Sequence, residues 1–597
     1  MLEPCVVPDA LFDALAAGEG GPEAVRLLLR ARRSRHLLLL RRVLDGPCGA
    51  AAEPAAALLA RIERAAPGVV GAVTGGPAFG TWAARAVRDC PAHRRGGCAA
   101  RELAALAVVA AVRAERAAEI AVPVRAGRLP LPGLGTVCGL GDAAEAVVGV
   151  EPGAGPAGAC RVRIAAGGTA HPLPRDLTRA GHGWEPVAVL AVEHRGLALR
   201  VPLETADPRL PALDTVSAGP AAWLGLLRPA WELLVERHPG RAAELAAGLT
   251  ALVPLPAPAR GVASATSRHA FGTVLTSWPA DPERLALSLL HEFQHSKLSA
   301  LTDLVALHEG DGEARLYAPW RPDPRPAAGL LQGVYAHLGD LAFWRERGGR
   351  GDGRGDGPGQ ADAAWRAAGT RAHVERGLAE ATAHVPLTGL GVRFLDRVAD
   401  TVRAGADVPD ARLVRAVARV QTGEEAVWRL RWGVPPDAAA TARLVARRRA
   451  GRPPGELPPD AVRPATGPVT GPGPDVMRWA ARQRGAERAR PARAAARAAA
   501  AEPHRPDRWA ELAAAAAEER LPGATALRRR TDLVRHLFLS DPADPLDLAA
   551  WLAAGDPDGS EHRRLDVAER AVAAGEDLGD RVVVTQRAGE AGDDVLP

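Results

Sequence analysis

Residues 281–307 read DPERLALSLLHEFQHSKLSALTDLVAL, and the rest of the chain is read outward from this stretch. Asp281 stands as an N-cap, Pro282 takes the first helical position and Glu283 puts an acid in the first turn, which together start a helix. Leu285, Leu289, Leu290, Leu298 and Leu301 recur at helical spacing and predict that the helix is buried along that stripe. Within it, His291-Glu292-Phe293-Gln294-His295 is an HExxH motif. Two histidines four residues apart project from one helix face, so both imidazoles can bind a single metal ion in a dry, leucine-rich surround.

The composition draws attention to the same region. The chain has no Asn, a single Lys among 75 basic residues, and two Tyr. Such depletion fits a GC-rich coding bias, so the residues that survive it are informative. The one lysine is Lys297 and the tyrosines are Tyr317 and Tyr335, all within 291–345.

Further out, at roughly 150 residues per domain, 597 residues predict three or four domains. Residues 1–125 read as helices, from runs such as EAVRLLLRARRSRHLLLLRRVL. Residues 126–225 alternate short Val-rich runs (AVVGV, CRVRI, VAVLAV) with Gly/Pro turns and read as strands of an antiparallel sheet. Residues 226–400 hold the HExxH helix and its surroundings, and 401–597 read as a C-terminal helical region. GGRGDGRGDGPG (348–359) reads as a surface loop. The Pro/Gly-rich 451–475 reads as a connection between domains, and the Ala/Arg run beyond it as a solvated helix. The expected fold is α+β and predominantly helical, with a β-rich segment in the N-terminal half packed beside the metal-site helix.

Charge and hydropathy exclude several classes. Basic residues number 75 against 70 acidic ones, too even a balance for an extended nucleic-acid-binding field. No run approaches the ~18 apolar residues of a membrane span. No basic and apolar leader is visible at the start, so a cytoplasmic protein is expected. Cys5, Cys48, Cys90, Cys98, Cys138 and Cys160 fit no metal-binding spacing and are expected to be reduced and structural.

The usual chemistry of HExxH is zinc hydrolysis, with Glu292 as general base on a metal-bound water. An extended HExxHxxGxxH pattern would need Gly at 298 and His at 301, where this chain has Leu298 and Leu301. Downstream, Tyr317-Ala318-Pro319-Trp320-Arg321-Pro322-Asp323-Pro324-Arg325-Pro326 is a proline-fixed extended loop presenting two guanidinium groups. The following GLLQGVYAHLGDLAFW carries Gln332, Tyr335 and His337. Such a segment can supply a third ligand, together with planar donors suited to a carboxylate.

SRHAFGTVLTSWP, LLHEFQHSKLSAL, YAPWRPDPRP and GLLQGVYAHL together resemble the HExxH-motif domain of actinobacterial ribosomal-peptide modification systems, a domain also found fused behind radical SAM enzymes. The likeness covers roughly 264–346, with a weaker one at VPDALFDALAAG and SRHLLLLRRVL. The cluster motif of the fused relatives is absent, which implies a stand-alone version. The resemblance implies an iron(II)- and 2-oxoglutarate-dependent hydroxylase, on a fold that is not a cupin barrel, acting on a side-chain β-carbon of a precursor peptide. Carried onto this sequence, His291 and His295 are metal ligands and His337 is the expected third. Glu309, Glu313 and Asp303 are the carboxylates that would otherwise serve.

An oxygenase also needs open coordination positions and a cation for the distal carboxylate of its cosubstrate. Arg321, Arg325 and Lys297 are candidates for that cation, with Tyr317 beside them as a cosubstrate-binding residue. Lys297 lies about 200° round the helix from His295, which favours the arginines. Glu292, Gln294 and Tyr335 are the candidate catalytic side chains, Glu292 orienting a ligand or the peptide rather than activating water. Two other readings stand beside this one: a zinc metallopeptidase of the HExxH type, and a non-catalytic peptide-binding partner of a separate radical SAM maturase. The expected partner is the precursor peptide, with no nucleic acid and no membrane.

Overall fold

The computed structural model describes residues 5–89, 99–153, 160–204, 219–256, 263–310, 315–349, 358–404, 410–465, 471, 474–486 and 488–554. Helices account for most of these residues and strands for a minority, an α+β chain that is predominantly helical. The chain divides into two compact units, one of residues 1–15 and 19–304, the other of residues 16–18 and 305–597. No helix among the described residues is long and apolar enough to cross a membrane.

After the short helix Asp9–Ala16, the first unit has helices Gly21–Leu44, Gly49–Ala65, Pro67–Gly75, Pro77–Asp89 and Leu103–Arg113. Leu103–Arg113 is apolar nearly all round and correspondingly buried from Leu103 to Ala111, as a helix at the centre of a core must be. Strands β1 (Ala118–Pro123), β4 (Glu145–Glu151), β5 (Arg161–Ala166) and β6 (Thr169–His171) form an antiparallel sheet in the order β1-β4-β5-β6. In β5 the alternation RVRIAA turns Val162 and Ile164 into this core and Arg161 and Arg163 outward. Strands β2 (Leu129–Leu131), β3 (Gly135–Val137) and β7 (Trp184–Pro186) make a small second sheet.

A third sheet carries the HExxH helix. Its strands are β8 (Ala188–His194), β9 (Leu197–Leu203), β10 (Ala251–Leu255), β11 (Ser264–Ala265) and β12 (Thr273–Ser277), in the order β11-β12-β10-β9-β8. Strands β9, β10 and β12 run parallel, and the two edge strands, β8 and β11, run antiparallel to their neighbours. Parallel neighbours need a crossover, which helices Pro220–Arg237 and Pro239–Gly248 supply between β9 and β10. β10, β11 and β12 lie beyond 126–225, the stretch whose sequence reads as strands. ALVPL is buried almost throughout and shows no alternation, so the period that identifies a half-exposed strand is absent.

Helix Pro282–Leu301 follows β12 directly and packs on β12, on Pro220–Arg237 and on Gly21–Leu44. The Asp281 side chain accepts from Arg284 N at 2.8 Å, so the N-cap forms as its sequence implies. Leu285, Leu289, Leu290, Leu298 and Leu301 are all buried. The turn into β12 requires glycine at 272, where φ is +71° and a Cβ would overlap the Gly248 carbonyl.

The second unit is helical, apart from a proline-rich strap closed by Leu316 N to Arg325 O (2.8 Å) and Arg325 N to Leu316 O (3.0 Å). Helices Ala327–Gly349, Pro358–His384, Gly389–Ala404 and Ala411–Trp432 surround the strap, and Trp432 Nε1 donates to Pro322 O at 2.7 Å. The helix Ala492–Ala501, read as solvated, instead buries Ala492, Ala495, Ala496 and Ala499 against Trp509 and Leu512 of Pro506–Glu518. Its alanines form a stripe at i, i+3, i+4 and i+7, narrow enough for close helix contact, with the arginines left on the far face. The described part of the Pro/Gly stretch is tied down by Val434 N to Ala461 O and Arg463 N to Trp432 O, both 2.9 Å. Most of GGRGDGRGDGPG lies outside the described residues, as do Glu313, Cys90, Cys98 and everything after 554.

Cys48 is disulfide-bonded, while Cys5, Cys138 and Cys160 form no disulfide. For Cys48 this corrects the expectation that the cysteines are reduced. Spacing along the chain does not reveal which segments folding brings to disulfide distance.

Candidate metal centre

The HExxH helix is buried from Glu292 to Phe293 to Gln294 and again from Ser296 to Leu301, leaving His291 and His295 as its half-exposed positions here. Their ring centroids are 4.9 Å apart with planes at 78°. At 100° per residue, four residues advance the side chain by about 400°, which returns it to nearly the same direction one turn on. Glu292 and Gln294, on the flanking faces, are 3 % and 2 % exposed. Two imidazoles so placed suit a borderline metal such as iron or zinc, each able to give a ring nitrogen. Within either unit, no described His, Cys, Asp or Glu residues assemble into a group of three that could hold a metal.

Lys297 belongs to the interior. Its Nζ donates to Glu244 Oε2 at 2.6 Å and to Glu19 O at 3.4 Å. Glu244 in turn accepts from Gly21 N at 2.9 Å, which ties the start of Gly21–Leu44 to the helix. Burial lowers the Lys297 pKa to about 8, with Glu244 opposing that shift. Asp303, a candidate ligand by sequence, is already engaged by three arginines: Arg32, Arg35 at 3.3 Å and Arg268 at 3.2 Å.

The other sequence-derived site residues are in the second unit. His337, half-buried, has Nδ1 2.8 Å from Gly333 O. Since a carbonyl only accepts, Nδ1 carries the proton and the neutral ring has its lone pair on Nε2. The ring stacks on Trp320, centroids 4.6 Å apart, with His373 at 6.4 Å on another side. Burial pushes the His373 pKa down to about 3, so that ring is neutral.

Arg321 Nε and Arg325 Nη1 both donate to Asp323, at 2.9 and 3.3 Å. Burial raises the Asp323 pKa, but bonds from Arg321 and then Arg325 outweigh it and the net shift is downward. Tyr317 is buried edge-on to Trp428 at 5.2 Å, under the Arg376 guanidinium, and burial pushes its hydroxyl well above the ordinary range. It lines a cavity of about 230 Å³ with Gln421, Thr422, Glu425 and Arg376. Tyr335 is 1 % exposed and tilts against Phe394 at 5.5 Å. Gln332 is half-buried on the same helix, and Glu309 is exposed.

Sequence reasoning missed Asp323 as the acceptor between the two arginines, although Arg-Pro-Asp-Pro-Arg spells out the spacing. It also missed that Arg32, Arg35 and Arg268 converge on Asp303. The visible signal was the tripeptide Ser-Arg-His, present at 34–36 and again at 267–269. Compared with known proteins, the chain matches no family model and no curated protein.

Proposed function

We propose that this chain is a metal-dependent peptide-modifying enzyme, an iron(II)/2-oxoglutarate-dependent hydroxylase acting on a side-chain β-carbon of a ribosomally made precursor peptide. The observation that carries this reading is the pair of half-exposed imidazoles, His291 and His295, on an otherwise buried and firmly capped helix. Bound iron would supply the oxidising chemistry. His291 and His295 would each hold it through a ring nitrogen. His337, expected from the sequence as a third ligand, lies in the second unit, where its Nδ1 donates to Gly333 O.

Within the second unit, Arg321 and Arg325 each direct one donor to Asp323, and a guanidinium has five N–H donors, so both retain donors for a carboxylate. Lys297, closed in its pair with Glu244, is left out of that site. Glu292 and Gln294 would orient ligand and peptide. An extended peptide has a suitable neighbour in β11, an exposed edge strand beside the site helix whose backbone groups can extend the sheet. We place this chemistry on an open mixed sheet rather than a cupin barrel, in a cytoplasmic protein.

Turnover of 2-oxoglutarate tests the reading. Protein loaded with iron(II) in air should release succinate from 2-oxoglutarate even without peptide, and His291→Ala should abolish that release. Protein that holds zinc, ignores 2-oxoglutarate and cleaves peptides would be a metallopeptidase.

A further inference from the structure

We infer that Arg32, Arg35 and Arg268 form a binding site for a small oxyanion, the carboxylate or phosphate group of a low-molecular-weight ligand. The site lies wholly within the first unit. Arg32 and Arg35 come from the middle of helix Gly21–Leu44, Arg268 from the segment between β11 and β12, and Asp303 from just beyond the HExxH helix. The two Ser-Arg-His tripeptides are thereby brought together, through Arg35 of one and Arg268 and His269 of the other.

The charge balance favours an anionic ligand. Among the described residues, three guanidiniums meet one carboxylate, Asp303, an excess of two positive charges. Arg32 is 1 % exposed, and its Nη2 is reduced to donating to the Arg268 carbonyl. Burial lowers its pKa to about 10, Asp303 opposes that shift, and Arg35 and Arg268 add to it. A buried cation held among like charges is costly unless an anion completes the set.

Hydrogen bonding tells the same story independently. Arg32 Nε, Arg35 Nη1 and His269 Nδ1 are all buried with no hydrogen-bond partner among the described residues. Three such atoms around one cationic cluster suit a shared oxyanion acceptor. His269 is kept neutral, its pKa lowered to about 4 by burial and then by Arg35, Arg268 and Arg32, so its ring has one N–H to offer. Planar guanidinium donors fit the oxygens of a carboxylate or phosphate, and the Arg268 side chain, 60 % exposed, leaves the cluster open on that side.

Calorimetric titration of the full chain with sodium phosphate, and separately with succinate, at constant ionic strength tests the site. One of the two should bind saturably, with Arg268→Ala and Arg35→Gln each weakening it by about tenfold or more. Arg268 is exposed enough that its removal leaves the fold intact, so that variant decides the matter. Phosphate binding lost in Arg268→Ala assigns a phosphorylated ligand, and succinate binding lost in it assigns a carboxylate. Heat no greater than that of chloride, or binding that survives Arg268→Ala, overturns the proposal.

Discussion

The ammonium of Lys297 lies 2.6 Å from Oε2 of Glu244, and both groups are sealed inside the first unit. A chain that uses arginine almost everywhere keeps its one lysine here. The physical reason is size and shape: an ammonium is a compact point charge with three donors, whereas a guanidinium is a broad planar fork. The pair joins the HExxH helix to Pro239–Gly248 and, through Gly21 N, to the first long helix. The composition anomaly thus marks the support of the site helix.

Lys297→Met is expected to destabilise the chain by about 3–5 kcal/mol, because it leaves Glu244 buried without its partner charge. The double variant Lys297→Met/Glu244→Leu should recover most of that loss. Denaturant unfolding of the two variants checks this. A single variant as stable as the parent would mean that the pair does not hold the helix.

Gly333→Ala tests the surroundings of His337. A Cβ at 333 would overlap the Trp320 indole, on which the His337 ring stacks, and Gly333 O is the acceptor for His337 Nδ1. Overpacking predicts a loss of about 1–3 kcal/mol in stability. Thermal unfolding of the variant beside the parent checks this.

Acid should weaken the fold through its buried histidines. Burial, the largest cause in each case, lowers His36, His238 and His269 to about 4 from an ordinary 6.5. Folding therefore favours the neutral rings, and the unfolded chain binds more protons between these values. Stability is fully present above pH 6.5 and is lost as pH falls toward 4. His36→Gln removes one such group and should reduce that slope by up to about 1.4 kcal/mol per pH unit, read from unfolding curves at several pH values.

Helix Pro282–Leu301 was legible to its cap, because Asp281, Pro282 and the leucine stripe all act locally. The strands of 126–225 were legible in the same way, wherever one face is wet and residues alternate. β10, β11 and β12 were not, since β10 and β12 are largely buried and β11 has two residues. The site divides similarly. The HExxH spacing fixes where His291 and His295 point, whereas the partners of Lys297, Asp303 and Cys48 depend on which distant segments meet. Glu244 is 53 residues from Lys297, and Arg32 is 271 from Asp303. No local pattern encodes such pairs.

The most direct test of the paired imidazoles as an iron site is anaerobic reconstitution with iron(II) followed by titration with 2-oxoglutarate, monitored in the visible spectrum. A saturable charge-transfer band from the chelated keto acid, lost in His295→Ala while the variant remains folded, is the expected result. Tight retention of zinc with no band at any keto acid concentration would contradict it.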